Sequence, residues 1–178
     1  MEYLIRTDRL GLRNWDDKDL QPFASLCADE RVMQFFPATL NREQSDQLVH
    51  RFQRQYQDHG YTYFAVDRLD SNTFIGFVGL MQQNYPSHFT PCVDIGWRLA
   101  PSAWGKGFAT EGAMACLHFG FERLQLDEIY SVAPKINIKS QRVMQKLGMQ
   151  FHSTFEHPKL KESGRLNPCV VYKIERDF

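Results

Sequence analysis

The sequence predicts a mixed α+β protein in which helices flank one central sheet. Seven segments alternate or run apolar in the manner of strands, whereas four others repeat apolar residues at helical spacing. Near the middle of the chain a strand, a glycine-containing bend, a helix and another strand follow in that order, which is typical of a βαβ step. With 178 residues and no linker-like stretch, the chain is expected to form a single domain over residues 1–178.

The N-terminal part is predicted to hold one strand and two helices. Residues 10–13 alternate as in a first strand, and an acidic turn then precedes apolar residues at helical spacing over residues 20–28. Thr39 or Asn41 is suited to cap the second helix, which Gly60 is expected to end.

The rest of the chain contributes two more helices and most of the strands. Residues 73–81 are apolar on both faces, so they are expected to form a central strand. A long helix is predicted to open in the glycine-containing bend and to end near Leu124, and a short one to begin at Asn137 or Ile138. The remaining strands are predicted at residues 61–67, 93–99, 128–133, 150–156 and 169–175.

The composition argues against several classes of function. A formal net charge of zero gives no general electrostatic attraction to nucleic acid or to an anionic membrane. The four cysteines lie far apart in apolar runs and are expected to be reduced core residues, and the six histidines show no spacing typical of a metal site. No metal ion is therefore expected. Because the sequence shows no leader-like segment and no apolar run of bilayer length, a cytoplasmic protein is expected.

Residues 104–111, which read WGKGFATE, are the stretch around which the chain is organised. They follow a predicted strand and open the long helix, so several unpaired backbone N–H groups and the positive end of the helix dipole point at one spot. Gly105 and Gly107 allow a bulky anion to approach the backbone closely. The stretch therefore predicts a phosphate or pyrophosphate cradle, with a tight turn that binds nothing as the alternative.

The same stretch partly mimics a dinucleotide-binding fingerprint. Gly105-x-Gly107-x-x-Thr110 is followed by Asp127 at about the right distance. The third glycine is missing, however, and Asp127 precedes its strand, whereas the ribose-binding acid belongs at the end of a strand. A nicotinamide cofactor is therefore not expected.

The motif Trp104-x-x-Gly107-x-Ala109 resembles the pyrophosphate loop of the GNAT acetyltransferases, with Trp at a position where that family usually has Gln or Arg. The ordered set around it is similar to the RimJ/RimL-type branch of N-acetyltransferases. That set comprises RTDRLGLR at 6–13, DIGWRL at 94–99, the loop itself, Asn137-x-x-Ser140 and KLGM at 146–149. The resemblance implies a GNAT fold: a mostly antiparallel, twisted sheet of about six to seven strands, flanked by helices, with splayed strands around the cofactor.

The resemblance also implies acetyl-CoA as co-substrate and a set of residues to bind it. Backbone groups of Trp97, Arg98 and Leu99 would bond the pantetheine arm, and one of their N–H groups would hold the thioester oxygen as it gains charge. Trp104 and Lys106 would add packing and charge, although Lys106 is equally suited to a solvated position. The pyrophosphate would lie on the amides of Gly105, Lys106, Gly107, Phe108, Ala109 and Thr110.

Asp94 and Ser140 are the candidate catalytic residues. Asp94 stands where the family usually has Glu, so its shorter side chain suggests a base that acts through water; an ion pair with Arg98 or an exposed position is the alternative. By resemblance, Asn137 and Ser140 face the pantetheine arm, and Ser140 would donate a proton to the departing thiolate. Either residue would also serve simply as a helix cap. Tyr130 lies in the preceding strand, outside the spacing expected for an acid.

The acceptor is expected to be a primary amine. A peptide α-amine has a pKa near 7.7–8.0, so roughly a fifth or more of it is neutral at pH 7.4, whereas only about 0.1% of a lysine side chain is. A weak base therefore suits the N-terminal α-amine of a protein, as the RimJ/RimL resemblance also favours. Phe35, Phe36 and Tyr85 are the candidate acceptor-binding residues.

Two alternatives stay open at this point. One is a small-molecule amine, such as a polyamine, an amino acid or an aminoglycoside. The other is a non-catalytic CoA-binding module, which would keep the loop and lack turnover. A monomer or a homodimer is compatible with the sequence.

Overall fold

A computed structural model of the chain describes residues 2–176 and contains one open, eight-stranded sheet. The strands lie in the order β1-β2-β3-β4-β5-β6-β8-β7. The strands are β1 (Ile5–Arg6), β2 (Leu10–Arg13), β3 (Tyr63–Arg68), β4 (Thr73–Gln83), β5 (Cys92–Leu99), β6 (Glu128–Pro134), β7 (Gln150–Phe155) and β8 (Cys169–Glu175).

The helices flank this sheet, as the sequence predicts. They are α1 (Leu20–Ala28), α2 (Glu30–Met33), α3 (Arg42–His59), α4 (Phe108–His118) and α5 (Ile138–Lys146). A π-helical turn over Phe119–Arg123 continues α4, which accounts for the predicted extension to about Leu124. The mixed α+β class is confirmed. The sheet has one strand more than expected, because the two-residue strand β1 is too short to show a pattern.

The ends of the helices follow from local chemistry. Asn41 begins α3 as its cap, since its side chain accepts the backbone N–H of Gln44. Gly60 ends that helix in the left-handed conformation with φ 77°. Asn137 caps α5 in the same way, and Gly148 follows it at φ 80°. Of the two candidate caps for α3, the structure therefore selects Asn41.

One pair of strands departs from the antiparallel pattern. Strands β5 and β6 run parallel and share one paired position, Asp94 opposite Tyr130. The Ser131 hydroxyl donates a 3.0 Å hydrogen bond to the carbonyl of Ile95, just beyond that position. From there the ladder is not continued within residues 2–176, so a gap opens between the C-terminal halves of the two strands. This gap is the splay that the resemblance implies.

Two apolar layers cover the two faces of the sheet. On one face α4 packs against the strands through Phe108, Cys116 and Leu117. On the other face α1 and α3 bury an aromatic cluster. In it Phe23, Phe52 and Phe77 contact one another, and Trp15 contacts Phe23 and Phe52, at ring-centroid distances of 4.8–6.2 Å. Strand β5 contributes Ile95 and Leu99 to the first layer, and its Arg98 lies against Phe23 and Phe77 of the second.

A buried ion network ties the start of the chain to the sheet. The guanidinium of Arg13 is bonded to Asp19 at 2.6 and 2.8 Å and to Asp67 at 2.7 and 3.0 Å. All three side chains are nearly inaccessible to solvent. Loss of one partner from such a network typically costs several kcal/mol of stability because a charge stays buried without compensation.

Candidate active site

A cleft of about 1000 Å³ runs from the α1–α3 side of the sheet, through the gap between β5 and β6, to the starts of α4 and α5. It brings together nearly every residue that the sequence singles out. Lys106 is the exception, because its side chain lies outside the cleft and is exposed. The predicted residues that line it are Phe35, Phe36, Tyr85, Asp94, Trp97, Arg98, Leu99, Trp104, Gly105, Gly107, Phe108, Ala109, Thr110, Asn137 and Ser140.

The start of α4 has the geometry of an anion cradle. Gly105 and Gly107 adopt left-handed conformations with φ 72° and 82°. The first turn closes when the N–H of Glu111 reaches the carbonyl of Gly107 at 3.0 Å. The amides of Phe108, Ala109 and Thr110 have no acceptor among residues 2–176. The loop therefore offers unpaired donors at the positive end of a helix, which fits a pyrophosphate.

This loop is held in place from the opening segment of the chain. Arg9 donates to the carbonyl of Lys106 at 3.0 Å and to the carboxylate of Glu111 at 2.7 Å. The Thr7 hydroxyl donates to the same carboxylate at 2.6 Å. The guanidinium of Arg9 also lies 4.6 Å from the ring centroid of Phe108. The cradle is therefore braced by the turn between β1 and β2, and Glu111 anchors that brace.

Trp104 fixes the entrance of the loop. Its indole N–H donates a 2.7 Å hydrogen bond to the carbonyl of Leu99 at the end of β5. The ammonium of Lys139 lies 5.4 Å from its ring centroid. An indole in this position packs where the related family carries Gln or Arg.

The predicted residues at α5 divide into a cap and a free hydroxyl. The Asn137 side-chain oxygen accepts the backbone N–H of Ser140 at 3.2 Å, so the capping role of Asn137 is confirmed. Ser140 is half-buried, and its hydroxyl has no hydrogen-bond partner among residues 2–176. Tyr130 points elsewhere, because its hydroxyl donates to Glu128 at 3.0 Å and its side chain does not line the cleft.

Asp94 is a buried carboxylate in the wall of the cleft. Only 8% of the residue is exposed, and its Oδ1 accepts hydrogen bonds from the Tyr63 hydroxyl at 2.7 Å and the Gln83 amide at 3.1 Å. Burial raises the pKa of Asp94 to about 6, and those two hydrogen bonds and the nearby charge of Arg51 limit the rise. The alternatives of an exposed Asp94 or an Asp94–Arg98 pair are therefore wrong.

The contact between Tyr63 and Asp94 depends on a glycine on β5, the strand that carries Asp94. Tyr63, Gly79 and Gly96 stand opposite one another on β3, β4 and β5. A Cβ at Gly96 would lie 2.9 Å from the Tyr63 hydroxyl oxygen and 3.0 Å from the ring carbon that bears it. The ring also stacks on Phe77, with centroids 4.9 Å apart and planes at 10°. Gly96 therefore makes the space through which Tyr63 reaches the carboxylate.

The side chain of Arg98 points toward the helices, next to the predicted acceptor residues. Its Nη1 donates to the thiol sulfur of Cys27 at 3.2 Å, and the guanidinium lies 4.1 Å from the ring centroid of Phe36. Burial lowers the pKa of Arg98. Tyr85 lies on another wall, stacked on Phe155.

Sequence reasoning missed the groups that surround Asp94. Tyr63, Gln83 and Arg51 come from three separate elements, and none belongs to a recognisable motif. The signal that was present is the pair of glycines inside strands, Gly79 and Gly96, because glycine in a strand often marks a close approach by another group.

None of the helices in residues 2–176 combines the length and the apolar character needed to cross a membrane. In the same part of the chain, no three side chains of the metal-ligating types are grouped together.

The cradle, the strand gap and the cleft define an enzyme that binds an acyl-CoA thioester. Comparison with known families agrees, since the model of the acetyltransferase (GNAT) domain matches residues 9–150. The chain belongs to the GNAT acetyltransferase family. It is an acyl-CoA-dependent N-acetyltransferase, and acetyl-CoA is its co-substrate.

Individual relatives are similar to this chain in sequence or in fold. The uncharacterized N-acetyltransferase YnaD of Bacillus subtilis (strain 168) is 30% identical over 152 residues, which cover 85% of either chain. The structure of RimL, a ribosomal L7/L12 alpha-N-protein acetyltransferase in complex with coenzyme A, superposes with a TM-score of 0.80 at 16% identity over 99% of both chains.

A spermidine N-acetyltransferase from Vibrio cholerae, in complex with CoA and spermine, has the same fold. Its TM-score is 0.73 at 22% identity, covering 95% of this chain and 96% of that one. Proteins named for protein and for polyamine acceptors therefore share this fold, so the choice of acceptor depends on the cleft.

Proposed function

We propose that this enzyme is of the RimJ/RimL type and acetylates the N-terminal α-amine of a protein, by direct transfer from acetyl-CoA with no covalent enzyme intermediate. The observation that carries this proposal is Asp94, a buried carboxylate with a pKa of about 6 in the cleft wall where β5 and β6 separate. A base of that strength suits an α-amine with a pKa near 7.7–8.0 better than a lysine side chain near 10.4. Cytoplasmic action, as a monomer or a homodimer, is part of the same proposal.

Asp94 takes the proton from the attacking amine, directly or through one water molecule. Tyr63 and Gln83 both donate to Oδ1, which leaves Oδ2 free to accept that proton. Because the carboxylate is held from two sides, it needs little reorganisation during the reaction. Phe35, Phe36 and Tyr85 line the part of the cleft through which the amine approaches.

The other groups bind the co-substrate and support the transfer. Acetyl-CoA supplies the activated acetyl group as a thioester. The backbone groups of Trp97, Arg98 and Leu99 bond its pantetheine arm, and one of their N–H groups stabilises the negative charge that develops on the thioester oxygen. The free hydroxyl of Ser140 donates a proton to the departing sulfur, and Asn137 orients Ser140 through its cap.

The loop before α4 binds the diphosphate. The free amides that begin the helix act as donors, and Gly105 and Gly107 keep side chains out of the way. Trp104 holds the loop against the end of β5. Lys106, whose side chain lies outside the cleft, adds positive charge at the rim.

The test is an acetylation assay with purified protein, acetyl-CoA and peptides whose only amine is the N-terminal one. Thiol release should accompany a mass increase on that amine. Asp94→Asn should lower kcat by roughly 10²–10⁴-fold, the range for loss of a general base. Asp58→Asn is the matched control, since Asp58 is exposed on α3 and does not line the cleft.

Two results would reject parts of this proposal. Acetylation of lysine side chains or polyamines in preference to the peptide α-amine would reject the acceptor. Unchanged turnover in the Asp94→Asn variant would reject Asp94 as the base and leave the enzyme class intact.

A further inference from the structure

The cleft has an uneven distribution of charge. Asp94 is the only carboxylate among the described residues that line it. Three of the lining cations lie on or beside α5, in the half that the proposed function gives to acetyl-CoA, where phosphates account for them. The full set of cationic lining residues is Arg31, Arg51, Arg98, Lys139, Arg142, Lys146 and Lys159.

Two cations stand at the rim of the acceptor half without a counterion. Arg51 lies on α3, and Lys159 lies in the short turn after β7. Within residues 2–176 neither forms an ion pair with a carboxylate, and both side chains are exposed. Both side chains line the same cleft, and the partial burial of the Lys159 ammonium and the charge of Arg51 both lower the pKa of Lys159, so the two positive charges repel each other. An anion bound between them would relieve that repulsion.

The position of this pair relates it to the candidate base. The charge of Arg51 also acts on Asp94, as its effect on the pKa of that carboxyl shows. The imidazole of His157, two residues before Lys159, lines the same part of the cleft. Arg51, His157 and Lys159 therefore line the same cleft as Asp94.

A third cation lies deeper in the acceptor half. Arg98 is 9% exposed, and its nearest polar partner is the Cys27 thiol, which is a weak acceptor. Its Nε has no hydrogen-bond partner among residues 2–176. No carboxylate of the described chain pairs with it either, so the interior of the acceptor half is positive as well as its rim.

We propose that the acceptor carries a carboxylate or another anionic group close to its primary amine, and that Arg51 and Lys159 bind this group. The inference rests on the proposed function, because it places the acceptor amine beside Asp94. An amine and an anion on one molecule match the cleft, which offers one carboxylate and several cations. A guanidinium beside an ammonium is suited to bind a carboxylate through charge-assisted hydrogen bonds.

The same charges act against a polycationic acceptor. A polyamine carries several positive charges at neutral pH, and its binding requires several carboxylates or aromatic faces. Asp94 is the only carboxylate that lines the described part of the cleft, and the cations at the rim would repel the distal ammonium groups. A protein N-terminus with acidic residues at its second and third positions fits the cleft, as does a free acidic amino acid.

The test measures binding, so that it does not depend on turnover. The CoA-loaded protein is titrated by calorimetry with a peptide that begins Ser-Glu-Asp, with its Ser-Gln-Asn counterpart, with free glutamate and with spermidine. The Ser-Glu-Asp peptide should bind roughly tenfold more tightly than its amide counterpart, as expected for two partly exposed charge pairs. The preference should weaken as the salt concentration rises.

Variants then assign the preference to the two cations. Replacement of both, by Arg51→Gln with Lys159→Gln, should remove most of the preference for the acidic peptide. The control is the double replacement Arg54→Gln with Lys161→Gln, which neutralises exposed cations on the same two segments outside the cleft and should keep the preference.

The outcomes separate this inference from the proposed function. Equal binding of the two peptides, or tighter binding of spermidine, would overturn the inference even if the α-amine is acetylated. A preference for the acidic peptide without its acetylation would support the inference and reject the proposed function. Selective binding of free glutamate would support the inference and assign the anion to a small acceptor.

Discussion

The hydroxyl of Tyr63 on β3 donates a 2.7 Å hydrogen bond to the carboxylate of Asp94 on β5, across the intervening strand β4. The contact is possible because glycine occupies the facing positions on β4 and β5. It stabilises the ionised form of the carboxylate, whereas burial favours the protonated form. The balance of the two effects leaves Asp94 with a pKa of about 6, within the range where a base works near neutral pH.

Removal of that hydroxyl should change the pH dependence of the reaction. In Tyr63→Phe the ionised carboxylate loses a hydrogen bond that lowers its pKa, so the pKa of Asp94 should rise. The acidic limb of the kcat/KM profile should then move to higher pH by about one unit, the equivalent of one charged hydrogen bond.

The control for Tyr63→Phe removes the hydroxyl of a tyrosine that does not contact Asp94. Tyr172→Phe alters a buried tyrosine on β8 that does not line the cleft, and its profile should match the wild type. If Tyr63→Phe lowers activity equally at every pH, the hydrogen bond does not tune the base.

The same carboxylate should cost the protein stability. The pKa of Asp94 is about 6 in the folded chain and 3.8 ordinarily, so folding is penalised above pH 6, and the penalty fades as the pH falls toward 4. Asp94→Asn should therefore stabilise the protein by roughly 1–3 kcal/mol at pH 8 and change it little at pH 4.

Asparagine is a suitable probe because both hydrogen bonds to Asp94 end on Oδ1, which the amide oxygen replaces. Thermal or urea unfolding at pH 4, 6 and 8 measures the effect. A variant that is less stable than the wild type at pH 8 would contradict the sign of this prediction.

Many of the elements could be predicted from local sequence, because periodicity, caps and glycines act over a few residues. The helix that Asn41 caps and Gly60 ends is an example. Strand β1 was missed, since two residues carry no period. The cleft-lining motif residues were found through the resemblance, and the geometry confirms the capping role that the sequence offered for Asn137.

The environment of Asp94 could not be predicted from local sequence. Tyr63 lies 31 positions away along the chain, and its contact depends on the register of three strands. Likewise Arg9, in the opening segment, gave no sign that it would brace the loop before α4. Such contacts arise from tertiary pairing, which no window of sequence contains.

A side chain at Gly96 should break the contact between Tyr63 and Asp94. The Cβ in Gly96→Ala would lie 2.9 Å from the Tyr63 hydroxyl oxygen, and the stacking on Phe77 limits how far the ring can withdraw. We expect the acidic limb to shift as in Tyr63→Phe, with a loss of kcat of about tenfold from the misplaced base.

The double variant tests whether the two changes act through one contact. If they do, the pH shift in Tyr63→Phe with Gly96→Ala should be no larger than in either single variant. Gly164→Ala is the control, because a Cβ there meets nothing within 4 Å. Additive shifts would mean that Gly96 acts independently of Tyr63.

The cradle before α4 gives a prediction for binding of the co-substrate. Gly107 has φ 82°, and a Cβ there meets only the Arg9 guanidinium at 3.5 Å, so the space outside the loop is open. Gly107→Val should therefore cost about 1–2 kcal/mol of stability through its left-handed conformation, and should also place a branched side chain at the mouth of the cradle. We expect the affinity for acetyl-CoA, measured by calorimetry, to fall by at least about tenfold, since each lost or displaced amide contact to a phosphate is worth roughly 1.5–3 kcal/mol.

Gly60→Val is the matched control. Gly60 has φ 77°, a Cβ there meets no atom within 4 Å, and the residue lies at the end of α3 outside the cleft. That control should lose similar stability and keep its acetyl-CoA affinity, and an equal loss of affinity in both variants would mean that the cradle does not bind the diphosphate.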